Sequence, residues 1–121
     1  MDNLKTDVID LEMIGEICIV QIQLRELNSV HAEELATQLL SLLNEGTHKQ
    51  FILDFYTVHY MESACLGALV TFVKELSRHD GKIVIANVSE NVRFLFAVTG
   101  LDKIFPIYRD VPTAMTALQK E

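Results

Sequence analysis

Residues 51 to 78 constrain this chain more than any other stretch. Phe51-Ile52-Leu53-Asp54-Phe55 is an apolar run of strand length, and a run without polar alternation suits a strand covered on both faces. After a polar connection, Leu66, Leu69, Val70, Val73 and Leu76 recur at the spacing of one helix face. The pattern predicts a central strand followed by a helix that begins near Ser63, runs through Lys74 and Glu75 to about His79, and stops at the turn signal Asp80-Gly81. Lys82-Ile83-Val84-Ile85-Ala86 is a second short apolar strand. A strand, a helix and a strand in this order imply a right-handed parallel crossover.

The flanking segments fit around that unit. Val8 to Ile14 and Glu16 to Leu24 have strand character on either side of Gly15, which predicts an antiparallel hairpin. Arg25 to Val30 reads as a polar connection in which Asn28 or Ser29 can cap a helix over about Val30 to Leu43, with Leu35, Leu39, Leu42 and Leu43 on its apolar face. Glu33 and Glu34 suit its first turn, and Asn44-Glu45-Gly46 its end. Asn87 or Ser89 is placed to cap a third helix with Val92, Leu95 and Phe96 inward and Gly100 at its end. Ile104 to Tyr108 is a brief strand whose Pro106 belongs at a strand start or an edge. Asp110 and Pro112 open a last helix with Val111, Ala114, Met115 and Leu118 on one face. The expected fold is α/β, a mixed sheet of about five strands with four amphipathic helices packed on it. It forms a single domain over residues 1–121 with its core at about 16–118.

Composition narrows the function. A formal charge of −7, with ten Lys and Arg scattered along the chain, argues against a nucleic-acid surface. No apolar run approaches the length that spans a bilayer, and the N-terminal Met1 to Asp7 lacks the apolar core of a signal peptide, so a cytoplasmic protein without direct membrane contact is expected. No GxGxxG, P-loop or GxSxG pattern occurs, and His31, His48, His59 and His79 form no ligand pair, so neither cofactor nor metal is expected. Cys18 and Cys65 stand apart and read as small core hydrophobes. A nucleophilic pair of Cys65 with His59, or Glu62 acting as a base on Ser63, has only proximity in sequence behind it. The chain does not read as an enzyme. Ser63, at a helix start, is either a cap or a modified or ligand-binding hydroxyl, because both uses exploit the partnerless N–H groups of the first turn.

Several ordered landmarks carry a resemblance. Phe51 to Phe55 followed by Met61-Glu62-Ser63-Ala64-Cys65-Leu66-Gly67 resembles the signature of the anti-sigma factor antagonists, or STAS domains, in which an apolar strand leads to Met-Asp-Ser-Ser-Gly-Leu-Gly. Glu26-Leu27-Asn28 is similar to the family's Glu-Leu-Asp before the first helix. The segments Val92 to Phe96 and Thr99 to Phe105 are similar to its third helix and exit. The likeness runs from about Glu16 to Leu118. Glu62 stands for the family's Asp, Ala64 for its second Ser, Cys65 for its first Gly and Asn28 for an acidic residue.

The resemblance implies a STAS-like domain that works by partner switching. The unmodified form would bind an anti-sigma factor serine kinase and free the sigma factor, phosphorylation of Ser63 would end that binding, and a PP2C-type phosphatase would restore it. It also implies a partner-binding surface at Glu26, Asn28, Met61, Glu62, Ser63 and Ala64. The alternative is a scaffold or adaptor of the same fold that works without phosphorylation.

Overall fold

In a computed structural model, which describes residues 8–44 and 48–120, the apolar run becomes β4 (Gln50–Asp54), the middle strand of a five-stranded sheet ordered β1-β2-β4-β6-β7. β1 (Ile9–Ile14) and β2 (Ile17–Ile22) form the antiparallel hairpin about Gly15, whose φ of +60° suits a residue without a side chain. β2, β4, β6 (Lys82–Ala86) and β7 (Ile107–Tyr108) are mutually parallel. The crossovers between them are α1 (Ala32–Asn44), α2 (Ala64–Arg78) and α3 (Glu90–Thr99). A short 3-10 turn, Ser29–His31, leads into α1. The proposed stop at Glu45 and Gly46 lies outside the described residues.

Register explains why β4 tolerates no polar alternation. Cys18, Phe51 and Ile83 align across three strands, as do Val20, Leu53 and Ile85, and all six belong to the large core beneath α1, α2 and α3. The intervening row of Ile19, Ile52 and Val84 faces the opposite way, into a smaller core closed by Ala114 and Leu118. Those two residues come from the last helix, α4 (Val111–Gln119), which Asp110 caps by accepting the Thr113 N–H at 2.8 Å. Hydrogen bonding from Thr113, first through its side chain and then through this N–H, holds the Asp110 carboxyl below its usual range.

Three local features, two of them different from expectation, have physical causes. The buried face of α2 is Cys65, Leu66, Ala68, Leu69, Phe72 and Leu76, with Val70 and Val73 only partly covered. Phe72, absent from the expected stripe, meets Phe51 edge-on at 5.3 Å between ring centroids and turns the helix toward the central strand. Ser89 rather than Asn87 caps α3, accepting the Val92 N–H at 3.2 Å. Asn87 instead adopts φ +63° and donates its side-chain amide to Asp54 at 3.0 Å, tying the ends of β6 and β4 together. Finally, two short strands arise where polar connections were expected, β3 (Glu26–Leu27) and β5 (Tyr60–Met61), which form a separate parallel pair.

Phe72→Ala removes a fully buried aromatic ring and is expected to cost about 3–5 kcal/mol, read as a lower urea midpoint with unchanged slope. Cys18, buried beneath the same helices, has its thiol pushed from 9.0 to about 11 by burial. Its folded pKa lies above the unfolded one, so its contribution to stability is complete below about pH 9 and is lost as pH rises toward 11. Urea melts of Cys18→Ala should therefore flatten the alkaline fall in stability seen for the unaltered chain.

Candidate functional site

The short β3–β5 ladder turns the segment between β4 and α2 from a loop into a fixed platform. Leu27 and Met61 stand opposite each other in the ladder and are both buried. The N–H groups of His59 and Tyr60 donate to the Arg25 carbonyl at 2.8 and 3.1 Å, and that of Glu62 to the Leu27 carbonyl at 2.8 Å. Glu26 is exposed on β3 beside Tyr60.

Ser63 follows directly. Its φ of −61° and ψ of −24° are already helical, and its side chain makes no capping bond. A capping residue needs extended φ/ψ to aim its oxygen at the N–H groups two and three residues on. The first-turn N–H of Cys65 goes to the Glu62 carbonyl and that of Leu66 to the Ser63 carbonyl, each at 3.0 Å. The hydroxyl is left exposed. Of the two readings open in the sequence, the cap is not formed.

The residues around Ser63 serve different ends. The Glu62 carboxylate accepts the backbone N–H of Ser29, reaching from the start of α2 to the turn before α1. Cys65 is fully buried and directs its thiol at the carbonyls of Asn28, at 3.3 Å, and Leu27, at 3.6 Å. Its pKa is raised, first by burial and then by the negative Glu62, opposite to the activation that a helix N-terminus can give a thiol. His59 lies at the surface and is held through its backbone, its carbonyl accepting from Ser89 at 3.2 Å and Asn91 at 3.5 Å. Cys65 and His59 therefore do not form an activated pair. Asn28 is half-buried, its N–H donating to His31 Nδ1 at 3.0 Å.

A groove of about 760 Å³ opens beside Ser63, between the β5–α2 corner and α3. Ser63, Glu62 and Ser29, with Ala64 among them, form one side of it, and Tyr60, Asn91, Phe94 and Leu95 the rest. Met61 requires correction as a surface contact: its side chain is only 4% exposed and belongs to the core, leaving an edge at the groove floor. The apolar surface that sequence reasoning missed is the outer face of α3. Phe94 is 68% exposed and Val98 60%, one turn apart and opposite the buried Val92 and Phe96, while Tyr60 is 48% exposed across the groove. The signal was present in Val92-Arg93-Phe94-Leu95-Phe96-Ala97-Val98, which is apolar on both sides of a helix where one apolar stripe suffices for burial. Among the described residues no group of His, Cys, Asp or Glu could hold a metal ion, and no helix is long and apolar enough to cross a membrane.

Because Ser63 makes no cap, Ser63→Ala should change the unfolding free energy by less than about 0.5 kcal/mol, against the loss of about 1 kcal/mol typical of a removed cap. Chemical denaturation distinguishes the two.

The sequence matches the STAS domain family over residues 8–114. The anti-sigma-B factor antagonist of Staphylococcus epidermidis is 34% identical over 82 residues, 68% of this chain and 75% of that protein. A Thermotoga maritima structure, named as that of a candidate anti-sigma factor antagonist, superposes with a TM-score of 0.83 at 23% identity, covering 92% of this chain and 94% of the other. The Bacillus cell fate determinant SpoIIAA in its phosphorylated form superposes with a TM-score of 0.70 at 21% identity, covering 91% and 98%. With a family match spanning most of its length and the fold it shares with these structures, the chain belongs to the STAS domain family.

Proposed function

We propose that this protein is an anti-sigma factor antagonist controlled by phosphorylation of Ser63. The unmodified form binds an anti-sigma factor that is also a serine kinase and so releases a sigma factor in the cytoplasm. The kinase transfers the γ-phosphoryl group of a nucleoside triphosphate to Ser63 Oγ. The hydroxyl proton leaves, the nucleoside diphosphate departs, and the complex dissociates. A PP2C-type phosphatase hydrolyses the phosphoester and restores the hydroxyl. The antagonist performs no chemistry; it is a substrate and a binding module. The observation that carries this reading is an exposed, uncapping serine hydroxyl on the rim of a groove that is polar on one side and carries exposed Tyr60 and Phe94 on the other. The phosphorylated state named for SpoIIAA supports it by analogy of fold.

The groove supplies attraction and the serine supplies control. Exposed aromatic and aliphatic side chains at Tyr60, Phe94 and Val98 are the kind of surface that a partner desolvates for affinity. Glu62, Ser63 and Ala64 line the groove with Tyr60 and Phe94, and Glu26 and Asn28, on the neighbouring β3 segment, extend the partner-binding surface. A phosphate adds about −1.5 to −2 charges at neutral pH, beside Glu62 and on a surface that binding must dehydrate, so most of its cost falls on the complex. A hundredfold loss of affinity requires only about 2.7 kcal/mol.

Incubation with the cognate anti-sigma kinase and ATP should add one phosphate to the intact mass of the unaltered chain and none to Ser63→Ala. By calorimetry, Ser63→Ala should bind the kinase as the unmodified chain does, and Ser63→Asp at least about tenfold more weakly, a difference of about 1.4 kcal/mol. Phe94→Ala should weaken binding by about tenfold or more while leaving stability within about 0.5 kcal/mol. A chain that binds its partner but never accepts phosphate would be the adaptor instead.

A further inference from the structure

The turn Ser29–His31 is closed by its own capping box, in which Asn28 accepts the His31 N–H and His31 Nδ1 accepts the Asn28 N–H, and it is joined besides to the segment that carries Ser63. The Leu27 carbonyl accepts the Glu62 N–H, the Asn28 carbonyl accepts the Cys65 thiol, and the Ser29 N–H donates to the Glu62 carboxylate. The first two contacts reach residues that lead into the turn. The third is made by the turn itself, and its acceptor is the side chain immediately before the phosphoacceptor. The next residue, Val30, is 80% exposed, the most open large apolar side chain among those described. Ser29 also lines the groove.

We propose that Glu62 is a positioning residue for the Ser29–His31 turn, and that a phosphate on Ser63 unfastens this turn by repelling the Glu62 carboxylate from the Ser29 N–H. The proposal rests on the reading of Ser63 as the phosphoacceptor. A charge-assisted bond to a backbone N–H survives only while its carboxylate can stay in place. A dianion one residue away disfavours that placement, and Glu62 is solvated enough to swing outward. The buried contacts of Leu27 and Cys65 lie behind the turn, and the capping box of Asn28 with His31 closes its far end; none of these depends on that charge, so the change is confined to Ser29 and Val30. Modification would thus alter the partner's surface in two places, at the phosphate itself and at Val30. The glutamate at position 62 is then a part of the switch, with its carboxylate holding the turn in the unmodified state.

The test uses the full chain with phosphoserine installed at position 63 during synthesis, so that no kinase is needed, and follows the Ser29 and Val30 amides by NMR. In the unmodified chain the Ser29 amide proton should lie downfield of its position in Glu62→Ala. Phosphoserine should return it upfield and speed its exchange with solvent about tenfold, the factor that corresponds to about 1.4 kcal/mol. In Glu62→Gln, which keeps the acceptor oxygen and removes the charge, phosphoserine should move the same amide less than half as far. An unmoved Ser29 amide, a further downfield shift, or an equal response in the Glu62→Gln variant overturns the proposal. These readings are made without a partner. If phosphoserine released the turn but left the kinase bound as tightly as before, the functional reading would fail and the positioning role of Glu62 would stand.

Discussion

Burial of β4 on both faces is the constraint from which the rest of the structure follows. Phe51 and Leu53 face the three crossover helices while Ile52 faces α4, so neither side of the sheet can be left to water. That requirement sends α1, α2 and α3 to one face and α4 to the other. A strand enclosed in this way has fixed register with β2 and β6, and a fixed register sets where the chain emerges at Asp54. From there Phe55, buried against Phe96 at 6.3 Å, leads the chain toward α3, and Phe96 in turn meets Phe105 at 5.7 Å. The aromatic contacts continue the core out to the edge of the groove.

The site is built where this core runs out. At the carboxyl ends of the parallel strands, β3 and β5 pair for two residues each and sink Leu27 and Met61 into the core. Two residues of ladder alone would be marginal. The buried side chains, together with the carbonyls of Arg25 and Leu27, make this ladder rigid enough to present Ser63 at a defined angle. Asn87, strained at positive φ but tied to Asp54, and Ser89, which caps α3 and also reaches the His59 carbonyl, lock α3 to the same platform. Serine and groove are therefore positioned by one connected set of bonds, and the hydroxyl stands apart from that set because helical backbone angles keep it from capping.

The substitutions around the serine become intelligible in that setting. Cys65 occupies a fully buried position and donates toward two carbonyls of the β3 segment, so its bulk fills core rather than crowding the Ser63 hydroxyl. Glu62 uses its length to reach Ser29. Ala64 is exposed and lines the groove beside Ser63.

The order of elements, the central strand, the position of α2 and the candidate serine were all legible in the sequence, because two-sided burial and helical periodicity are properties of local residue order. Asp110, Pro112 and Gly100 likewise marked their helix ends through their own backbone chemistry. The β3–β5 pair was not legible, since its partners are more than thirty residues apart and too short to show a period. The same holds for the burial of Met61, the identity of the α3 cap, and the groove formed by Tyr60 and Phe94. Each of these depends on which surfaces meet after folding. Sequence determined what each segment prefers to be; only tertiary packing decided which serine oxygen and which apolar faces remained exposed, because exposure is what is left once every long-range contact has been made.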